Sequence, residues 1–363
     1  MNVLYIVCKS RATSIPLEVA AVMVEKKIDL TVAAFKEKDV NKGHFVPELV
    51  PLKARSIFDP RGIINLYQCI LETEPDVVHL HHTASALWGG ILAKLVAGTA
   101  VIRTEHNNQQ HYTLPQNILH GFSQLLSDRV LCNSKDTYRN LYPLQKWAIG
   151  DSWEVVYNGI DASRIEAAAS RNPPVCLKEL EDQVLIGTVG RLVDQKNYQR
   201  LIEAFPLVLE EVPEAHLVLI GDGENRSQLE REAVAQGIDG RVTFMGECPR
   251  DDVYAALHAF DLFVMPSLWE GFCNAVVEAM AAGLPVVSSD IATLREVIGG
   301  MAVYVDPKDP GDIGSGIAKE LKKRTRELEK MGKECKNHAK KKYSLEKTSE
   351  RYISNYQKVT KSC

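Results

Sequence analysis

Short, continuously apolar runs recur along the whole chain and alternate with helical stretches, and this alternation narrows the fold more than any other feature. In the first half the runs fall at residues 3–8, 30–35, 76–80, 100–104, 129–132 and 154–157. In the second half they fall at 184–189, 216–220, 241–245, 261–265, 285–288 and 302–305. Runs this short and this apolar predict parallel strands covered on both faces by helices. Two such sets of similar size in 363 residues predict two Rossmann-like domains. Ligands of these sheets bind beyond the carboxyl ends of the strands, so the loops there hold the candidate site.

The bulk numbers fit an ordinary globular chain, with 25% charged and 45% hydrophobic residues. A net charge of −4 and the lack of any basic-aromatic array give no case for a nucleic-acid partner. The eight cysteines are scattered without a Cys-x-x-Cys pair, which predicts a reducing, cytoplasmic compartment rather than a disulfide scaffold or zinc site. The first apolar run is too short for a signal-peptide core and meets Lys9 and Arg11 at once. Residues 83–102 have the length of a membrane span, but Lys94 and the Ala97-Gly98-Thr99 break make a buried helix followed by a strand the better reading.

The expected organisation is an N-terminal domain over 1–161, a linker over 162–183 containing Pro173-Pro174, and a C-terminal domain over 184–342. A last helix over 343–363 is expected to cross back to the first domain through Tyr352, Ile353 and Tyr356. Residues 319–342 hold eleven Lys/Arg against four Glu, with an apolar stripe within the run. That stretch is either a solvated helix face or a surface drawn to anionic membranes.

Two loops carry the chemistry. After the run 184–186 comes Gly187-Thr-Val-Gly190-Arg191-Leu-Val-Asp-Gln-Lys196-Asn197, with glycines at a strand exit and two cations suited to a diphosphate. After the run 261–265 comes Pro266-Ser267, then Glu270-Gly-Phe-Cys-Asn-Ala-Val-Val-Glu278. The second acid falls in the early turns of a helix that should stop at Gly283-Leu-Pro285. Free N–H groups at such a helix start accept phosphate or sugar oxygens, and a carboxylate accepts hydrogen bonds from vicinal hydroxyls. In isolation, the plainer reading of these residues as a cap and solvated surface groups would prevail.

Taken together, Gly190-Arg191…Lys196-Asn197, Leu219-Ile-Gly-Asp-Gly-Glu224, Pro266-Ser267…Glu270-Gly-Phe272…Glu278 and Gly283-Leu-Pro-Val-Val287 resemble the donor-site signature of the retaining nucleotide-sugar glycosyltransferases of family 4. The resemblance runs through roughly residues 184–306 in order. It implies the α/β GT-B fold, with two Rossmann-like domains facing each other across a cleft. It also implies transfer of a hexose or N-acetylhexosamine from a UDP- or GDP-sugar to a glycan or lipid-linked acceptor, at the cytoplasmic face of the membrane where the acceptor is lipid-borne.

By the same resemblance, Arg191 and Lys196 neutralise the departing diphosphate, with Gly190 and the helix start after Gly271. Glu278 accepts hydrogen bonds from the ribose hydroxyls. Glu270, with the backbone of Gly271, Phe272, Cys273 and Asn274, holds donor-sugar hydroxyls. Gly221, Asp222 and Gly246 border the base, although an Asp-Gly turn alone explains the first two. Neither glutamate is expected to be a nucleophile, because the departing phosphate oxygen itself helps to deprotonate the acceptor. Cys273 stands where the family often has a small residue or proline.

His106, in Arg103-Thr-Glu-His106-Asn107, matches the family's acceptor-side histidine and is expected to hydrogen-bond the donor sugar or the acceptor. His79-Leu-His81-His82 alternates along a strand, and His82 is the residue expected to line the acceptor pocket. No Asp-x-Asp occurs, so no metal ligands and no cofactor are expected and activity should be metal-independent. The chain departs from the family at Cys8-Lys-Ser-Arg-Ala-Thr-Ser14, which has no glycine where a Gly-Gly turn is common. Lys9, Ser10 and Arg11 are the available substitutes. The rival readings are a GT-B nucleotide-sugar epimerase, a phosphorylase, and a non-catalytic nucleotide-sugar-binding partner protein.

Overall fold

The computed structural model describes residues 1–10, 14–37, 47–56, 58–81, 83–96, 99–108, 112–323 and 325–361. His82 and Arg11, both singled out above, lie outside the described residues. The chain divides into two compact units, Met1–Gly159 with Leu345–Cys363, and Ile160–Ser344.

The first unit is built on a seven-stranded sheet whose strands are β1 (Asn2–Ser10), β2 (Asp29–Glu37), β3 (Glu48–Pro51), β4 (Val77–Leu80), β5 (Ala100–Glu105), β6 (Arg129–Cys132) and β7 (Trp153–Val155). Their order is β3-β2-β1-β4-β5-β6-β7, and every pairing is parallel. The central strands are apolar on both faces: Val3, Tyr5 and Val7 join one core, Leu4 and Ile6 the other. β3 was not expected, because its Pro51 and exposed Glu48 mark an edge strand rather than an apolar run. β1 runs on through Lys9 and Ser10, paired with Lys36 and Glu37, so these two residues belong to the strand and not to the loop assigned to them above.

The second unit holds β8 (Val184–Val189), β9 (Ala215–Ile220), β10 (Val242–Gly246), β11 (Leu262–Met265), β12 (Val286–Ser289) and β13 (Ala302–Val305), in the order β10-β9-β8-β11-β12-β13. All of these pairings are parallel too. Helix Tyr198–Glu211 covers the sheet with Leu201, Ile202, Phe205 and Val208, a stripe at helical spacing. Burying each of these large side chains is worth about 1.5–3 kcal/mol. In both sheets the strand order reverses once, between β1 and β4 and between β8 and β11, which is where open parallel sheets bind ligands.

One boundary reading changes. Residues 162–183 form no free linker: helices Ala162–Ala168 and Val175–Lys178 belong to the second unit, with Ile165 and Leu177 buried. Two apolar anchors outweigh the Pro-Pro signal there. Helix Leu345–Thr360 packs within the first unit, where Tyr352 and Tyr356 are buried beside His79. Among the described residues, no helix is long and apolar enough to cross a membrane.

Candidate functional site

The loop after β8 is tied to the loop after β11 by a run of polar contacts. Lys196 Nζ lies 2.6 Å from Glu270 Oε1, and Ser267 Oγ donates to the same oxygen at 2.7 Å. Gln195 donates through Nε2 to the Trp269 carbonyl at 2.9 Å, and its backbone carbonyl accepts from Leu268 N at 2.9 Å. Asn197 adopts a left-handed φ of 57°, which asparagine tolerates better than most residues. From there its Nδ2 donates to the carbonyls of Pro266 (2.9 Å) and Pro307 (2.7 Å). Thr293 Oγ1 donates to the Glu270 carbonyl at 2.9 Å. Glu270 is thus held from both ends while only 6% exposed.

Burial, the largest influence, works against the charge on Lys196, but the Glu270 carboxylate, with Cys273 and Tyr198 beside it, leaves the ammonium above its ordinary pKa. Gly190 is required here because a Cβ would meet Tyr198 Oη at 2.7 Å. Arg191, the other predicted cation, is exposed and makes no ion pair among the described residues. The structure therefore separates the two: Lys196 is a largely covered partner of Glu270, while Arg191 reaches into solvent.

Gly221 (φ +132°) packs against the first loop, since a Cβ there would lie 2.0 Å from the Gly190 carbonyl oxygen. Backbone bonds from Gly190 N to Ile220 O and from Leu192 N to Asp222 O join the two segments. Asp222 is exposed, accepts from Gly223 N at 2.7 Å and lies 3.5 Å from Arg226. The Gly246 carbonyl closes the row by accepting from Gly221 N at 2.9 Å. The fold itself thus gives a reason for the glycines at 190 and 221.

Helix Asn274–Ala282 opens after Cys273, which sits in the left-handed region at φ 74°. Such a conformation in a non-glycine residue costs on the order of 1–3 kcal/mol and is characteristic of functional sites. The Cys273 thiol is buried, and burial together with the nearby Glu270 carboxylate pushes its pKa up to about 12. That environment makes it a poor nucleophile. The Phe272 ring is buried edge-on against Tyr343, with centroids 5.3 Å apart.

Glu278 is 7% exposed and accepts through Oε1 from Arg250 Nη2 (2.5 Å) and Tyr254 Oη (3.3 Å). Arg250 Nε also bonds Tyr254 Oη at 2.7 Å. The sequence reading passed over Arg250, Tyr254 and Thr293. The signal for the first two was present: an Arg and a Tyr four positions apart after Cys248-Pro249, on one face of a helix.

In the first unit, His106 follows β5 and its carbonyl accepts from Asn133 Nδ2 at 2.8 Å. Its ring lies 5.7 Å from that of His81, which lies 4.0 Å from that of His79. His79 bonds Tyr356 Oη and Thr104 Oγ1, each at 2.7 Å. Burial, and then the neighbouring His106, hold its pKa well below the ordinary value. Within β5, Arg103 and Glu105 form a buried ion pair at 2.5 Å. Among the described residues, no group of three or more His, Cys, Asp or Glu is placed to hold a metal ion.

Two all-parallel sheets, each with one reversal of strand order, define a pair of Rossmann-like α/β units. The chain matches the family described as Glycosyl transferases group 1 over residues 176–342 and that described as Glycosyltransferase Family 4 over residues 16–164. It belongs to these glycosyltransferases.

It is 28% identical over 267 residues to UDP-Gal:alpha-D-GlcNAc-diphosphoundecaprenol alpha-1,3-galactosyltransferase of Escherichia coli, covering 70% of this chain and 67% of that one. It is 29% identical over 149 residues to 2-deoxystreptamine glucosyltransferase of Streptomyces kanamyceticus, covering 40% of this chain and 38% of that one. The matched stretches thus span between about two fifths and two thirds of these relatives. Among solved structures, Anabaena HepE in complex with UDP and glucose aligns with a TM-score of 0.83 at 17% identity, over 99% of this chain and 100% of that one. Sucrose-phosphate synthase of Thermosynechococcus elongatus aligns at 0.81 and 15% identity, over 100% of both. The fold is GT-B.

Proposed function

We propose that this chain transfers a hexose or N-acetylhexosamine from a UDP- or GDP-sugar to a glycan or lipid-linked acceptor, with retention at the anomeric carbon and without a metal ion. The observation that carries this reading is the Lys196–Glu270 pair at the strand-order reversal, beside the start of helix Asn274–Ala282. Expelling a diphosphate demands positive charge next to it, and losing one such contact costs about 3 kcal/mol in the transition state. Lys196, held cationic by Glu270, is suited to that task, and exposed Arg191 is free to close on the same group.

Glu270 has one oxygen engaged by Lys196 and Ser267, and its carboxylate is the acceptor proposed for donor-sugar hydroxyls, together with the backbone of residues 271–274. Glu278, steadied by Arg250 and Tyr254, is proposed to take the ribose hydroxyls. Gly221, Asp222 and Gly246 border the base in this reading, and His106 serves the donor sugar or the acceptor. Two comparisons support the donor class: HepE was solved with UDP and glucose, and the E. coli relative is named for a UDP-Gal donor and a diphosphoundecaprenol-linked acceptor. An acceptor of that kind would place the work at the cytoplasmic face of a membrane.

Calorimetry without metal, using UDP, GDP, ADP and their sugar conjugates, tests the reading on the wild type and on Glu278→Ala. One nucleotide should bind, and the variant should weaken it about 10- to 100-fold, the scale of a charge-assisted hydrogen bond. No binding by any of them overturns the donor site. Turnover should survive a chelator, and loss of turnover that Mg²⁺ restores would overturn the metal-free part.

A further inference from the structure

Three histidine rings of the first unit stand in a row, and they differ in how they are held. His79 lies on β4, which pairs with β1 and β5, opposite Tyr5 and Ile102. His81 comes two positions later, just past the strand end, where its N–H reaches the Ile6 carbonyl at 3.3 Å. That alternation brings both rings to one side of the sheet. The third ring, His106, follows the neighbouring strand β5.

His79 is fixed at both ring nitrogens. Nδ1 bonds Tyr356 Oη and Nε2 bonds Thr104 Oγ1, each at 2.7 Å. Tyr356 Oη is tied in turn to Tyr5 Oη at 3.0 Å, and Tyr352 shares a hydrogen bond with Thr104. All of these side chains are buried, so turning the His79 ring would strand polar groups away from water. A satisfied core histidine accounts for His79.

The same account does not cover His81. Its ring is buried too, and burying an imidazole costs more than burying an aliphatic side chain. It packs on His79 with centroids 4.0 Å apart and a tilt of 37°, and on Tyr5 at 4.5 Å and 53°. Both of those rings are themselves held by hydrogen bonds. A further neighbour is His106, 5.7 Å away at 31°, the half-buried member of the row. The row therefore runs from a ring locked in the core to the ring assigned above to the donor sugar or the acceptor.

We propose that His81 is a positioning residue for transfer: seated on His79 and Tyr5, its ring holds the His106 imidazole in one orientation. The inference rests on the role proposed for His106 and adds that this role depends on a buried imidazole beside it.

Imidazole NMR of the full chain with isotope-labelled histidine tests it, the His106 signal being assigned by its loss in His106→Ala. His81→Ala should shift and broaden the His106 Cε1–H peak. His81→Phe, which keeps a ring on His79 and Tyr5, should restore one sharp peak. His81→Asn, which removes the ring and keeps a polar group, takes the place of the alanine variant if urea unfolding shows the latter to be unfolded. An unchanged His106 peak once the ring at 81 is gone overturns the proposal.

Turnover of UDP-galactose and UDP-glucose, read as released UDP, gives the second readout. His81→Ala should lower kcat about 10- to 100-fold, the scale of a misplaced reacting group, with KM for the sugar nucleotide within about 2-fold. In a His106→Ala background the same substitution should cost nothing further, because the ring it positions is gone. An equal loss in both backgrounds overturns the proposal and leaves His81 a core residue. The two readouts keep the readings apart: an unmoved His106 peak defeats this inference whatever the chain turns over, while a moved peak without turnover by the wild type defeats the transfer reading alone.

Discussion

Lys196 Nζ lies 2.6 Å from Glu270 Oε1, joining the segment after β8 to the segment after β11 at the point where the strand order of the second unit reverses. The side chains are 13% and 7% exposed, so the pair is largely withdrawn from water. The cation proposed to face a diphosphate is therefore held by the carboxylate proposed to grip the sugar.

Breaking this pair from one side should be costly. Lys196→Met leaves Glu270 buried without its cation, and urea unfolding should show a loss of about 3–5 kcal/mol. Lys196→Met/Glu270→Gln should lose less than the sum of the single variants, because the stranded charge is gone. Additive losses would mean that the two side chains do not depend on each other.

Cys273 should be chemically silent in the folded chain. Its thiol is buried and its pKa pushed up to about 12, by burial first and the Glu270 carboxylate second. Cys176 is exposed. With iodoacetamide at about pH 8, mass spectrometry should find Cys176 alkylated early and Cys273 only after denaturation, since the thiolate is the reactive form. Rapid native labelling of Cys273 would contradict the buried helix start described above.

Stability should fall in mild acid through His79. This ring is neutral in the fold, held below its ordinary pKa by burial and then by His106, and it is surrounded by Tyr5, His81, Tyr352 and Tyr356. Below about pH 6.5 the unfolded chain takes up a proton that the folded ring refuses, so the unfolded state gains. The loss should approach about 1.4 kcal/mol per pH unit from this group. Urea midpoints measured between about pH 7.5 and 5 should fall less steeply for His79→Gln than for wild type. An unchanged slope would shift the acid sensitivity to His120, whose pKa is also lowered by burial.

Much of the fold was legible because parallel strands covered on both faces must be apolar throughout, and such runs stand out without any structure. The strand that escaped, β3, is an edge strand with a proline and an exposed glutamate, so it has no such run to show. Residues 162–183 mislead for the opposite reason: Pro173-Pro174 signals a linker, while two isolated apolar residues, Ile165 and Leu177, anchor the segment in the second unit.

Helix Leu114–Leu125, which turns its polar side inward, was equally hidden. Its periodicity is that of any amphipathic helix, and only the buried Glu105 and Arg103 beneath it decide which side turns inward. The candidate site divides along the same line. The sequence placed Lys196, Glu270 and Glu278 on loops and a helix start, because glycines, capping positions and strand ends are local properties of the chain. It left open that Lys196 and Glu270, 74 positions apart, would share a buried ion pair, or that Arg250 and Tyr254 would reach Glu278. Those partnerships depend on which strands become neighbours in the sheet, a choice made by burial of the whole core and not by any local stretch of residues.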